Sequence, residues 1–288
     1  QIVIDSLFNH PNLAPFFSMH LIRQMVTSNP SSAYISRVSA VFNNNGQGIR
    51  GDLGATVKAV LFDPEARSPE MAEIPLYGKV KEPALAITHL NRLFNIGINQ
   101  EVPLTVSTEQ LWGTHRWMRV AGAPSQQVLD SESVFNFFRP NFAPNGEISD
   151  LGFVAPELQI TTEASIVNDV EMFRWLTTKE LWSHAINNGR DPDQFTLTYD
   201  FTHLDEIWEV EGYPAVLDFL NLYMTGNRMD SDYKSHLLSF SENPEYTQVF
   251  DGEDPAWSED FTDRMERHQF LIDLIYVIAT TPEFKVQR

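Results

Sequence analysis

SVFNFFRPNFAPNGEISDLGFVAPELQI, which runs from Ser133 to Ile160, is the stretch that decides how the rest of this sequence is read. Three prolines and an Asn-Gly pair interrupt any regular helix or strand here. Burying one phenylalanine is worth about 1.5–3 kcal/mol, so a loop this aromatic is expected to pack against its neighbours. We therefore predict a long ordered strap, at about residues 133–160. Its phenylalanines are Phe135, Phe137, Phe138, Phe142 and Phe153.

The segments outside the strap have the spacing of amphipathic helices. Apolar residues recur at every fourth position in the first of them, and proline follows a capping residue at the start of others. Asn29-Pro30 is predicted to open the second helix, Lys81-Glu82-Pro83 a later one, and Pro156 a long helix that leaves the strap. The fold class we predict is all-α, an irregular multi-helix bundle that holds the strap. The first apolar stripe is Leu13, Phe17, Leu21 and Met25.

Composition excludes several classes of protein. The 288 residues are 42% hydrophobic, enough for a sizeable core, and the formal net charge is −19. A nucleic-acid groove needs clustered lysine and arginine, so no nucleic-acid partner is expected, whereas a cationic partner is compatible with this charge. The chain has no cysteine, which excludes disulfides, thiolate metal sites and a cysteine nucleophile.

No membrane insertion is expected. The longest apolar run, from Phe270 to Ala279, has ten residues and contains Asp273, and about 20 apolar residues are needed to span a bilayer. No signal peptide is visible at Gln1–Asp5. We predict a single helical domain over residues 1–288, with a candidate boundary near 187–192.

Motifs for familiar chemistry are scarce. Gly46, Gly48 and Gly51 match a dinucleotide fingerprint as a string, but the preceding residues have helical spacing and that fingerprint needs a strand there. No two of the eight histidines lie at i+3 or i+4, so no helix offers a ready pair of metal ligands. No cofactor is predicted on these grounds.

Calcium is the one metal for which the sequence offers candidate ligands. Asp251, Glu253 and Asp254 lie in the most acidic stretch, from Asp200 to Asp263, and carboxylate oxygens suit this ion. Their spacing does not match the twelve-residue calcium loop, so a solvated acidic face is the alternative.

The strap carries the candidate binding site. A pocket formed by one cation, an amide donor and aromatic walls would suit a carboxylate, sulfate or sugar. The alternative is structural, with the arginine bracing the strap by an ion pair and the glutamate favoured in the first turn of a helix. The residues concerned are Asn136, Phe137, Phe138, Arg139 and Glu157.

The strap also resembles the signature of a bacterial family, the domain of unknown function 1800 (DUF1800) family. The matching words are V-F-N-F-F-x-P-x-F-x-P-x-G, here Val134 to Gly146, and P-E-L-Q-I, here Pro156 to Ile160. Glu132 stands where the family usually has proline. Lys81-Glu82-Pro83 matches a further family phrase, as does RGDLGATVKAVLFDPEAR, which begins at Arg50.

The resemblance implies a large exported protein, periplasmic or extracellular. Family members are usually longer at the N-terminus, so the resemblance implies that this chain is the C-terminal part of a larger protein. It also implies a protein partner, or the missing N-terminal half in that role.

Two functions remain open from the sequence. The first is a non-catalytic binding or assembly component outside the cytoplasm. The second is a hydrolase of an extracellular polymer whose site is shared with the missing N-terminal half. A broad apolar patch on the surface would favour the first, and a buried cluster of ionisable groups beside the strap would favour the second.

Overall fold

The computed structural model describes residues 1–74, 76–95, 97–98, 126, 131, 133–161, 197–198, 200–240 and 264–288. The protein is mostly helical, which confirms the all-α prediction. The helices are α1 (Ile2–Phe8), α2 (Leu13–Met25), α3 (Ser32–Asn43), α4 (Leu53–Phe62), α5 (Pro64–Arg67), α6 (Pro69–Ala72), α7 (Pro83–Leu93), α8 (Glu147–Asp150), α9 (Thr202–Glu211), α10 (Tyr213–Leu220), α11 (Ser231–Phe240), α12 (Arg264–Ala279) and α13 (Pro282–Lys285).

Strands are few and short in the described ranges. β1 (Lys79–Val80) pairs antiparallel with β4 (Val286–Gln287), and β2 (Gly97–Ile98) pairs antiparallel with β3 (Leu197–Thr198). Gly78, beside β1, has a φ of +105°, and a Cβ there would lie 2.2 Å from the carbonyl oxygen of Gln287. Only glycine fits this close approach of two backbones.

The chain divides into two compact units. Unit 1 comprises Gln1–Lys81, Ser131–Thr162 and Val286–Arg288, and unit 2 comprises Glu82–Asp130 and Glu163–Lys285. Each unit takes up separate stretches of the chain, so no single cut in the sequence divides them. The single domain remains a prediction, and its candidate boundary near 187–192 lies outside the described residues.

Unit 1 is built around α2, α3 and α4. Ile22, Tyr34, Val38 and Val60 form its buried core, and the hydroxyl of Tyr34 donates to the carbonyl oxygen of Val60 at 2.6 Å. Because that hydroxyl finds a partner inside the core, a buried tyrosine is tolerated there. Asp52 caps α4 through its side chain, which accepts from the backbone N–H of Ala55.

The predicted start of the second helix is wrong by two residues. Ser31 caps α3, accepting from the backbone N–H of Tyr34, and the helix begins at Ser32. Asn29 instead uses its side chain on the strap: its Nδ2 donates to the carbonyl oxygen of Val154 at 2.8 Å, and its Oδ1 accepts from the Val154 N–H at 2.9 Å. The side chain of Asn29 therefore bonds to the distant Val154 instead of capping the nearby helix α3.

Unit 2 has its own core. Helices α7, α9, α10, α11 and α12 contribute to a buried cluster whose fully enclosed members include Leu90, Val216, Leu237, Leu271 and Ile278. After α10 the chain forms a π-helical turn, Asn221–Thr225. The predicted opening of α7 at Pro83 is confirmed.

The strap is ordered and irregular, as predicted. It contains α8 and one 3₁₀ turn, Pro156–Gln159. The long helix predicted to start at Pro156 does not start there, since this 3₁₀ turn ends at Gln159; the remainder of that prediction lies outside the described residues.

Candidate functional site

A cavity of about 300 Å³ lies in unit 1 between α2 and the strap. Its walls are mostly apolar, and they include two aromatic rings and two prolines. The apolar residues that line it are Phe17, Leu21, Phe138, Pro140 and Pro156, and the polar ones are His20, Arg23, Gln24 and Glu157.

Arg23 is the cation of this cavity. Its Nε donates to the carbonyl oxygen of Ser28 at 3.0 Å, and its Nη1 donates to the carbonyl oxygen of Pro140 at 3.3 Å. Burial lowers the pKa of the Arg23 guanidinium, but an arginine keeps its charge in proteins. Within the described ranges Arg23 forms no ion pair with an acid, so its charge meets only neutral carbonyls.

His20 lies one helical turn before Arg23 on α2. Its ring packs edge-on against Phe16, with 4.4 Å between centroids. Burial lowers the pKa of His20, and the positive charge of Arg23 lowers it further. The ring is therefore neutral near pH 7, with one nitrogen that donates and one that accepts.

Glu157 forms a buried ion pair with Lys79 in the wall of the cavity. Lys79 Nζ lies 3.0 Å from Glu157 Oε1, and the two side chains are 0% and 3% exposed. Lys79 Nζ also donates to the carbonyl oxygen of Gln24, at the C-terminal end of α2, at 2.9 Å. Glu157 Oε2 is buried without a hydrogen-bond partner in the described structure. The pair fastens the strap, β1 and α2 together.

Further hydrogen bonds hold the rest of the strap. The Arg139 N–H donates to Gln159 Oε1 at 2.7 Å, a bond that joins the first half of the strap to its C-terminal end. The Ala155 N–H donates to the carbonyl oxygen of Phe142 at 2.9 Å. With the two bonds from Asn29, these contacts fix the wall that the strap presents to α2.

Two of the five predicted site residues line the cavity. Phe138 is 7% exposed and lines the cavity together with Glu157. Asn136, Phe137 and Arg139 are not among the lining residues. Asn136 is exposed with a φ of +76°, a conformation that asparagine tolerates better than most residues.

Arg139, the predicted cation, does not line this cavity. Its side chain is exposed, and it forms no ion pair with any residue that the structure describes. Arg23 takes that place, and sequence reasoning missed it. The available signal was position: Arg23 follows His20 by three residues on α2, and residues three apart are neighbours on a helix surface.

A second, wider groove lies between α3 and α4, but its central charges are already paired. Arg37 donates through Nε and Nη2 to the two oxygens of Asp63, at 2.7 Å each. Burial alone would raise the pKa of Asp63, but the hydrogen bonds from Arg37 and from the Glu65 N–H outweigh it and lower that pKa. The other cation that lines the groove, Lys58, is exposed, whereas Arg23 in the cavity is half-buried.

The remaining sequence motifs have structural roles or lie elsewhere. The loop with Gly46, Gly48 and Gly51 joins two helices, so the dinucleotide fingerprint lacks its strand. Asn44 Oδ1 accepts from the backbone N–H groups of Gly46 and Gly48 and shapes this turn. No group of three acidic or histidine side chains suited to a metal occurs within the described ranges. The calcium candidates Asp251, Glu253 and Asp254 lie outside the described residues.

Helix α1 presents apolar side chains to solvent. Ile2, Val3, Ile4 and Leu7 are 65–85% exposed, and we call this set the α1 face. The helix is nevertheless anchored. Arg50 Nε donates to the carbonyl oxygen of Phe8 at 3.1 Å, and the Arg50 guanidinium lies 5.5 Å from the centroid of the Phe8 ring.

Comparison with known proteins gives a family and nothing finer. Among the helices of the described ranges, none has both the length and the apolar content needed to cross a bilayer. No curated protein and no solved structure was found to match the chain. The model of one family, described as "Protein of unknown function (DUF1800)", matches residues 1–286. This match covers nearly the whole chain, and the protein belongs to the DUF1800 family.

Proposed function

We propose that this protein is a non-catalytic binding and assembly component that acts outside the cytoplasm, and that the α1 face is where it joins a protein partner. The observation that carries the proposal is the exposure of four large apolar side chains on one seven-residue helix. Contiguous apolar patches on a protein surface are typical of interaction sites.

The way α1 is held supports a docking role. Phe8 packs near Phe42, with ring centroids 6.4 Å apart, and a Cβ on Gly51 would come within 2.6 Å of the Phe8 ring. The C-terminal end of α1 is thus fixed against α3 and the loop after it. A partner would meet a helix that is already formed and placed, which reduces the entropy lost on binding.

Charge indicates the chemistry of the partner. The chain carries a net charge of −19, and Asp5 lies on α1 itself. A partner with an apolar groove and a basic rim would bury the α1 face and be attracted to the rest of the surface. An acidic partner would be repelled. Export is supported by the family resemblance of the strap and of the stretch that begins at Arg50.

The test uses the full protein in its source cells. A photo-crosslinking amino acid is placed at Ile4, with Lys58, an exposed position on α4, as the matched control. We expect one discrete crosslinked species from Ile4, in the exported fraction, and none of that mass from Lys58. A crosslink to a second copy of this chain, equal crosslinking from both positions, or a wholly cytoplasmic protein would contradict the proposal.

A variant sharpens this test. Ile4→Ser with Leu7→Ser should abolish the crosslink, introduced here at Val3, while the free energy of unfolding changes by about 0.5 kcal/mol or less because both side chains are already exposed. A large loss of stability would mean that the α1 face packs within the protein rather than against a partner.

Hydrolysis of an extracellular polymer is the second candidate function. One observation favours it: His20 and Glu157, a neutral base and a carboxylate, line the same cavity. Its weakness is that Glu157 Oε1 is engaged by Lys79 and the side chain is 3% exposed, which keeps it from a substrate. Release of reducing ends or amines from polysaccharide or peptide polymers, lost in His20→Gln, would favour the enzyme.

A further inference from the structure

We propose that the cavity between α2 and the strap binds a small monocarboxylate with a flat apolar body, and that Arg23 holds the carboxylate. This inference is independent of the partner site on α1. It would add a ligand, of a stated chemical class, to a protein that the first proposal treats only as an assembly component.

The first step is the charge balance of the cavity. Arg23 and Lys79 bring two positive charges to this region, and Glu157, already paired with Lys79, brings one negative charge. Among the described residues, Arg23 donates to two backbone carbonyls, which leaves further N–H donors of its guanidinium for a ligand. The protein is acidic, yet this half-buried cation contacts no acidic side chain in the described structure. An anionic ligand would supply the missing negative charge.

The second step is the choice of anion. A carboxylate matches the planar fork of a guanidinium and carries a single charge. A dianion such as phosphate would leave one charge unbalanced, with the Glu157 carboxylate in the same wall. The neutral ring of His20 can donate one hydrogen bond but supplies no charge. One uncompensated cation therefore favours one monocarboxylate.

The third step is the shape of the ligand. Phe17 and Phe138 provide aromatic faces, and Pro140 and Pro156 extend the apolar wall. The volume of about 300 Å³ is at the lower end of the range for small-molecule sites. A ring of five or six atoms that carries one carboxylate suits such walls, whereas acetate would leave them uncovered.

Binding of a carboxylate at Arg23 should change the protonation of His20, which gives a measure of binding that does not depend on any enzymatic activity. The charge of Arg23 contributes to the lowered pKa of His20, after burial. A carboxylate bound to Arg23 offsets that charge, so the pKa of His20 should rise when the site fills. His10 lies in the same unit, outside the cavity, and accepts a hydrogen bond from the Asn12 N–H through Nδ1. It serves as the internal control.

The experiment compares benzoate with two matched probes, benzamide and acetate, by calorimetry. Benzamide keeps the ring without the charge, and acetate keeps the charge without the ring. We expect benzoate to bind about tenfold more tightly than either, which corresponds to about 1.4 kcal/mol. Equal binding of benzoate and benzamide would overturn the role of Arg23, and equal binding of benzoate and acetate would overturn the role of the apolar walls.

Variants locate the site. Arg23→Gln should weaken benzoate binding about tenfold or more, whereas Arg139→Gln, which removes an exposed arginine of the strap, should leave it unchanged. Similar losses in both variants would show that benzoate responds only to overall charge. If Arg23→Gln does not fold, the wild-type protein decides: benzoate must raise the pKa of His20 and leave the control residue His10 unaffected.

Experiments can distinguish failure of the carboxylate-site proposal from failure of the α1 proposal. The Ile4→Ser, Leu7→Ser variant should bind benzoate like wild type. Loss of benzoate binding in that variant would contradict the independence of the two sites. No rise in the pKa of His20 at saturating benzoate would show that the carboxylate binds elsewhere and would overturn the inference.

Discussion

Val134 and Phe135, at the start of the strap, are 94% and 81% exposed, whereas Phe138, three residues further on, is 7% exposed. We call Ser133–Asn136 the entry segment and Phe137–Ile160 the anchored segment. The hydrogen bonds of the entry segment are local, such as that from the Phe135 N–H to Ser133 Oγ. The anchored segment is bonded to Asn29, Arg23 and Lys79 in other parts of unit 1.

The difference shows that aromatic content does not decide which part of the strap is buried. Both segments are rich in large apolar residues. Among the described residues, only the anchored segment has distant partners for its backbone, and a buried backbone without partners is costly. Polar anchors therefore select the part of the strap that packs, and the α1 face shows that apolar residues can also remain exposed.

The largest effect should come from breaking the buried ion pair. Lys79→Met leaves the Glu157 carboxylate buried and unpaired, which should reduce the free energy of unfolding by about 3–5 kcal/mol. Chemical denaturation of the variant measures it.

The control is the double variant Lys79→Met, Glu157→Met. Because it removes both charges, it should recover most of that stability. A double variant no more stable than Lys79→Met would mean that the pair contributes through something other than charge.

The next effect contrasts the two segments directly. Phe138→Ala should cost about 3 kcal/mol, at the low end for a buried phenylalanine because this side chain borders a cavity. Phe135→Ala should change the free energy of unfolding by about 0.5 kcal/mol or less. Thermal and urea unfolding of the two variants, measured side by side, gives the loss of stability in each. Equal losses would contradict the comparison between the two segments.

A smaller effect is expected from the amide anchor. Asn29→Ala removes both hydrogen bonds to Val154 and should cost about 1–3 kcal/mol. Asn141→Ala, at an exposed position of the strap, is the matched control and should be close to neutral. If Asn29→Ala were neutral too, the strap would be held without this anchor.

The smallest effect concerns pH. Folding lowers the pKa of His20 below its ordinary value of 6.5, so the unfolded chain binds a proton first as the pH falls. The contribution of neutral His20 is therefore complete above about pH 6.5 and declines below it. His20→Gln should reduce the dependence of the unfolding free energy on pH below about pH 6.5, as measured by urea denaturation at a series of pH values. An unchanged slope would show that other groups cause it.

Much of the fold was predictable because it depends on local patterns. The four-residue apolar spacing predicted α2, and proline at the first helical position predicted α7. Asn29 shows where this fails: a side chain that could cap a helix locally was instead used by Val154, far along the sequence. No local pattern states which of two competing hydrogen bonds will form.

The site was predictable only in part, for the same reason. Aromatic density and the Pro-Glu turn pointed to Phe138 and Glu157, and both line the cavity, while their role in binding stays a prediction. The cation was assigned to Arg139, next to the aromatic cluster in sequence, whereas Arg23 reaches the cavity from another helix. The ion pair of Lys79 with Glu157 also joins distant positions, which only the folded chain brings together.

Amide hydrogen exchange in the native protein tests the central claim most directly, since it compares the two segments in one sample. The Val154 N–H donates to Asn29 Oδ1 and the Ala155 N–H to the Phe142 carbonyl oxygen, both at 2.9 Å. We predict that these two amides exchange far more slowly than that of Val134, with protection that falls at Val154 in Asn29→Ala. Equally rapid exchange at Val134, Val154 and Ala155 would contradict the account, because the strap would then be a surface loop without anchors.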